Sequence, residues 1–220
     1  MTRKLKQTPV VSAEEAKRRA SLRNIRIAIW GLAAIAGAGA VWLTTTQRTA
    51  IPAPMTMQAA YSDIGQGDYS LQTTDGQPFT AASLVGQPSL VFFGFTHCPD
   101  VCPTTLGDIT LWKDDLGAVG DDLQVVFITV DPERDTPELL HDYVSWVPDS
   151  VAVTGTPEEI EKTVTAFRIY ASKVPLEGDD YTMNHAAYVM LFDENGQFNQ
   201  IFSYQEDIDR VTAKLREFLS

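Results

Sequence analysis

Apolar residues fall along this chain in three patterns, and the changes between them mark out the elements. Ser89–Phe95 (SLVFFGF) and Leu123–Val130 (LQVVFITV) are nearly continuous apolar runs, as expected of strands buried on both faces. Tyr69–Thr73 and Gln77–Thr80 flank Asp75-Gly76, and Ala187–Phe192 and Gln197–Phe202 flank Asp193-Glu194-Asn195-Gly196. Both read as hairpins. Helical patterns cover Thr104–Leu116, Thr136–Trp146 and Thr156 to about Tyr170. Thr136 and Thr156 are suited to N-caps, each with proline in the first turn. A last helix, Glu206–Leu219, aligns Ile208, Val211, Leu215, Phe218 and Leu219 on one face. Val151–Thr154 is expected as a short edge strand, and Leu176–Met183 as a loop rich in Gly, Asp and Tyr. The β-α-β-α-β-β-α order predicts an α/β fold with a mixed central sheet flanked by helices.

A different pattern occupies the N-terminus. Ile27–Gln47 holds 21 residues without a formal charge, about the 20 that a helix needs to cross a bilayer. Trp30 and Trp42 sit near its ends, where amphipathic rings favour the interface, and the basic flank should remain cytoplasmic. That flank, residues 1–26, carries eight basic residues against Glu14 and Glu15. A signal peptide cut near Ala38-Gly39-Ala40 is the alternative, although the apolar run continues past that site. Either reading exports the remainder. Glu14 and Glu15 disfavour a mitochondrial presequence, so the expectation is a bacterial inner-membrane anchor with the domain in the periplasm, the mitochondrial intermembrane space being the counterpart. Residues 48–60, with Pro52 and Pro54, read as a linker, and residues 61–220 as one domain with no internal repeat.

Charge and cysteine count narrow the function. The 220 residues have a net charge of −12, and with +6 on residues 1–26 the rest carries −18. Nucleic acid is therefore not an expected partner, since phosphate backbones are gripped by clustered Lys and Arg. Two cysteines allow one disulfide or one pair of metal-binding thiolates.

Both lie in Phe95-Thr96-His97-Cys98-Pro99-Asp100-Val101-Cys102-Pro103, at the end of the first buried strand, where open α/β sheets place ligands. Pro103 suits a first helical turn, which leaves Cys102 near the positive end of the helix dipole, where a thiolate is stabilised. Three residues separate the cysteines, one more than in the C-x-x-C of thioredoxin-type oxidoreductases. Metal binding, thiol exchange and a plain disulfide staple all fit that spacing. Structural zinc fits poorly, because it wants four Cys or His ligands. His141 reads as a surface residue on a helix, while His185 precedes a strand that could border the cysteine loop. Two soft thiolates and an imidazole suit Cu(I), and can also hold Cu(II). Glu158, Glu159 and Glu161 read as solvated surface; Asp131, at the end of the second buried strand, is a candidate neighbour of the site.

The runs GFTHCPDVCPTTL (Gly94–Leu106) and FITVDPERDTPELL (Phe127–Leu140), with the later Asn184-His185 before a strand, resemble the Sco/SenC family of copper-binding, thioredoxin-like proteins that help assemble cytochrome c oxidase. The resemblance spans most of residues 61–220 and fits a single N-terminal anchor. It implies a thioredoxin-like fold, Cys98, Cys102 and His185 as copper ligands, and as partners a copper donor protein and cytochrome c oxidase subunit II. Such proteins commonly read Asp-His-Ser where this chain has Asn184-His185-Ala186. An aspartate could orient the imidazole or add charge near a dication, so Cu(II) retention is expected to suffer more than Cu(I) retention. Two functions follow: a metallochaperone that passes copper by ligand exchange to the dicopper site of subunit II, and a thiol-disulfide oxidoreductase that uses Cys98 and Cys102 to reduce the acceptor's cysteines.

Overall fold

The structure, a computed structural model, describes residues 13–46 and 61–220. The linker 48–60, Gln47 and the first twelve residues lie outside the described residues. Helix α1 (Ala13–Thr46) is continuous over 34 residues, and Ile27, Ile29, Trp30, Leu32 and Ile35 on it are all exposed. Among the described residues no helix is long and apolar enough to cross a membrane. α1 and the domain from Tyr61 onward belong to separate units.

The domain is built on a seven-stranded mixed sheet in the order β2-β1-β5-β4-β3-β8-β9. Its strands are β1 (Leu71–Thr73), β2 (Pro78–Phe79), β3 (Ser89–Gly94), β4 (Gln124–Thr129), β5 (Ser150–Thr154), β8 (Tyr188–Phe192) and β9 (Phe198–Ser203). β3 and β4, the two continuous apolar runs, are central: they pair in parallel from Ser89↔Gln124 to Gly94↔Thr129. β8 runs antiparallel on the other side of β3. Alternation along β3 sends successive rings to opposite faces. Phe92 stacks near Phe127, which in turn meets Tyr143 of α3 (Pro137–Val144). On that face α2 (Val101–Leu116) brings Trp112 against Phe202, and α5 (Ile208–Phe218) brings Lys214 over the same ring. Phe93 instead meets Phe167, at the end of α4 (Pro157–Ala166). Phe92, Phe93, Phe127 and Phe192 are fully buried, and each such side chain contributes roughly 1.5–3 kcal/mol to folding.

Three sequence expectations are corrected. β5 is interior, because β1 of the N-terminal hairpin pairs antiparallel along its outer side. α4 stops at Ala166, four residues short of Tyr170, since Phe167 turns into the core and Arg168 takes φ 54. The loop expected at Leu176–Met183 is shorter: from Tyr181 its residues belong to β7 (Tyr181–His185), which pairs with β6 (Ala171–Pro175), a strand the sequence did not signal, in a separate two-stranded ribbon in register from Ala171↔His185 to Pro175↔Tyr181. His185 thus ends β7 and, as expected, still precedes the next strand, β8.

Candidate metal centre

β3 and β4 end side by side, and the cysteine loop leaves from the end of β3. The loop turns on a hydrogen bond from Cys98 N–H to the Phe95 carbonyl, 3.2 Å. α2 begins at Val101, three residues earlier than its apolar periodicity suggests, so Cys102 lies inside the first turn. Asp100 occupies the N-cap position but makes no side-chain cap bond. The free backbone donor of Cys102 is instead accepted by Cys98 Sγ at 3.2 Å, so one sulfur caps the helix that carries the other. Cys102 is fully buried, Cys98 half-buried, and both are free thiols. Gly94 makes room for this arrangement. A Cβ there would lie 2.7 Å from the Phe127 ring and 3.0 Å from Cys102 Sγ.

His185 arrives from the ribbon. Its Nε2 stands 3.4 Å from Cys102 Sγ, and its Nδ1 donates to the Ala186 carbonyl at 3.0 Å. A carbonyl only accepts, so in the neutral ring the lone pair is left on Nε2, facing the sulfurs. The edges of Phe95 and Phe92 flank the imidazole at centroid distances of 5.7 and 6.2 Å. The donor atoms of Cys98, Cys102 and His185 all lie within 4.8 Å of one another. Bonds of about 2.0–2.3 Å to nitrogen and sulfur let a single ion reach all three with little closure. Two thiolates and one imidazole form a soft set that fits copper.

The two sulfurs are electrostatically unlike. The hydrogen bond from Cys102, aided by His185 and by backbone donors and against the opposing effect of burial, brings the Cys98 thiol down to about 4. The same hydrogen bond, with burial adding to it, pushes the Cys102 thiol well above the ordinary range. Without metal, one proton therefore stays on the buried sulfur and the half-buried one is a thiolate. A cavity of about 220 Å³ opens against Cys98 and His185, with Asp100, Met183 and Asn184 among its walls; Cys102 does not line it. An incoming group meets Cys98 and His185 first.

The other candidates lie elsewhere. Asp131 contacts none of the three donor groups. It is buried between Arg134 Nε at 2.6 Å and Tyr181 Oη at 2.7 Å. Asp135, which sequence reasoning passed over as part of an acidic run, is buried and accepts from Thr96 N–H, from Thr96 Oγ1 at 2.5 Å and from Thr129 Oγ1 at 2.6 Å. Its signal was the run's position just beyond a buried strand. His97 is half exposed, with Nδ1 3.1 Å from Thr96 Oγ1, and His141 is exposed on α3. Asn184 is exposed and borders the same cavity as His185, although alternation along β7 puts the two side chains on opposite faces of the strand. The imidazole already has its partner in Ala186, so this structure assigns residue 184 no part in orienting the ring. Tyr143, another residue with no sequence signal, buries its hydroxyl without a hydrogen-bond partner. Burial first, then the nearby Cys102, Cys98 and Asp135, push that phenol up.

The family model described as SCO1/SenC matches residues 57–220. The "SCO2-like protein" of Rickettsia felis is 35% identical over 190 residues, 83% of this chain and 90% of that one. "Protein SCO1 homolog 1, mitochondrial" of Arabidopsis thaliana is 36% identical over 148 residues, and the match takes in 66% of this chain but only 44% of that protein. Among solved structures, that of Bradyrhizobium japonicum ScoI with copper bound is 42% identical, with a TM-score of 0.64, covering 70% of this chain and 99% of that one. The cysteine loop, the VDPERDTP run and the Asn-His pair all fall inside the matched residues, and the chain belongs to the SCO1/SenC family.

Proposed function

We propose that this chain is a copper metallochaperone in which Cys98, Cys102 and His185 hold the ion and pass it to the dicopper site of cytochrome c oxidase subunit II. The observation that carries the reading is the convergence of two free thiols and an imidazole nitrogen, from a loop, a helix start and a separate ribbon, within 4.8 Å. Copper is the cargo. A copper donor protein loads the site, and the acceptor takes the metal by ligand exchange. An acceptor ligand entering the cavity displaces Cys98 or His185 before it reaches buried Cys102, which makes Cys102 the last to let go. For location the proposal is a single N-terminal membrane anchor with the domain in the periplasm; what supports it is the uncharged run Ile27–Gln47 and the exposed apolar side chains on α1, although no described helix is by itself long and apolar enough to cross a membrane.

Copper loading of the purified, reduced chain tests this directly. One tightly bound ion per chain is expected, lost in Cys98→Ser and strongly weakened in His185→Ala. A wild-type chain that holds no copper when fully reduced would overturn the reading.

A second reading, thiol-disulfide exchange, is favoured by the unequal sulfurs. The Cys98 thiolate attacks an acceptor disulfide, forms a mixed disulfide and expels one acceptor thiolate. Cys102 then loses its proton and attacks Cys98, releasing the second acceptor thiolate and leaving a Cys98–Cys102 disulfide. A Cys102→Ser variant should trap the mixed disulfide; no adduct with an oxidised acceptor peptide would count against exchange.

A further inference from the structure

β6 and β7 share no backbone ladder with the seven-stranded sheet, and an isolated two-stranded ribbon is marginal in water. β6 is exposed from Lys173 to Pro175. Something else must therefore fix the position of His185. Along β7 the residues 181, 183 and 185 share one face, so the strand that turns His185 toward the sulfurs turns Tyr181 inward at its other end, about 13 Å away. There Tyr181 Oη donates to buried Asp131 at 2.7 Å. Arg134 donates to Asp131 through Nε at 2.6 Å and to the Tyr181 carbonyl through Nη1 at 2.8 Å, and its guanidinium lies 3.7 Å from the Tyr181 ring centroid. Lys173 Nζ of β6 stands 4.3 Å from the centroid of the same ring and pairs with Glu133 at 2.8 Å. The contacts of Tyr181 with Asp131 and Arg134, and of Lys173 with Glu133, all run from the ribbon to one short loop between β4 and α3.

That loop also holds the cysteines. Asp135 takes the backbone and side-chain donors of Thr96, two residues before Cys98, and is itself fixed to β4 by Thr129. We propose that the segment Asp131–Asp135 sets the separation between the sulfurs and the imidazole, with Tyr181 and Arg134 as positioning residues for His185 and Asp135 anchoring the cysteine loop. The inference rests on His185 being a copper ligand and goes beyond it by naming what holds that ligand in place.

The test is a mutant cycle on the full-length chain with copper as the probe. Cu(I) affinity is measured by competition with a chromophoric chelator, and the nitrogen coupling of bound Cu(II) by electron paramagnetic resonance. Tyr181→Phe removes only the hydroxyl; Arg134→Lys keeps the charge but loses the fork, and guards against misfolding of either single variant. Each is expected to weaken Cu(I) binding about 10-fold, as loss of a group that orients a metal-binding histidine does, and to alter the nitrogen coupling. In a His185→Ala background the same changes should have no further effect, because the arm they hold no longer ends in a ligand. Equal losses with and without His185, or no loss with it, would overturn the positioning role while leaving the ligand assignment intact. Unchanged affinity in His185→Ala alone would remove the ligand assignment and the positioning role together.

Discussion

The cysteine arm and the histidine arm of the site are held by different physics. The cysteine arm grows out of β3, a strand paired on both sides, and its sulfurs are tied by a helix start in which Cys98 caps Cys102. Backbone hydrogen bonds and packing against Phe127 leave it little freedom. The histidine arm is a ribbon outside the sheet, seated by a few side-chain contacts to the β4–α3 loop. Covalent proximity and burial make one arm stiff, whereas the other depends on long-range polar pairs whose loss costs little elsewhere. A binding site that must close on a metal and later release it is well served by one fixed wall and one adjustable wall.

The largest expected effect separates the two sulfurs within the stiff arm. With the Cys98 thiol at about 4, the thiolate is already present at pH 5.5, so the alkylation rate of Cys98 should change less than about threefold from pH 5.5 to 8. An ordinary thiol near 8.5 gains on the order of 100-fold over that range. Mass-spectrometric mapping of iodoacetamide adducts against pH should find Cys98 modified first and Cys102 protected. A steep profile for Cys98 would mean that the helix start does not favour its thiolate.

Next in size is a direct attack on the same arm. Gly94→Ala would place a methyl against Phe127 and Cys102 Sγ, and such overpacking costs typically 1–3 kcal/mol. Thermal unfolding should register that loss, and Cu(I) affinity should fall with it because the displaced sulfur is a proposed ligand. Unchanged stability would show that the sheet yields at this point. The smallest effect belongs to the adjustable arm: Asn184→Asp, exposed in the wall of the cavity and making no hydrogen bond to the imidazole, should change Cu(I) affinity less than about twofold, as expected of an exposed charge screened by water. A gain of tenfold or more in chelator competition would show that residue 184 reaches the metal or its imidazole.

The same contrast explains what could be read without coordinates. The buried strands β3 and β4 announce themselves through continuous apolar runs and the last helix through apolar periodicity, because burial is what selects their residues; the first hairpin is marked by its Asp75-Gly76 turn. The ribbon did not. Ala171–Pro175 and Tyr181–His185 contain lysine, proline, asparagine and serine and no fully buried residue, so no burial pattern marks them as strands. Asp135 escaped notice for a related reason: in sequence a carboxyl group that anchors a loop looks like any other acid near a surface turn. Asp131 was singled out as a neighbour of the site, but its side chain is paired with Arg134 and Tyr181 and touches none of the three donor groups.

Residue types and local spacing alone determined the class of fold, the pairing of two soft sulfurs at a helix start, and a histidine of matching chemistry, since these follow from side-chain identity and from contacts a few residues apart. The tertiary structure decided which sulfur is buried, which face of β7 meets it, and which acidic groups hold the two arms together. Those outcomes depend on segments that lie 83 residues apart for Cys102 and His185 and 50 apart for Asp131 and Tyr181, and only packing of the sheet, the ribbon and the β4–α3 loop against one another brings them within bonding distance.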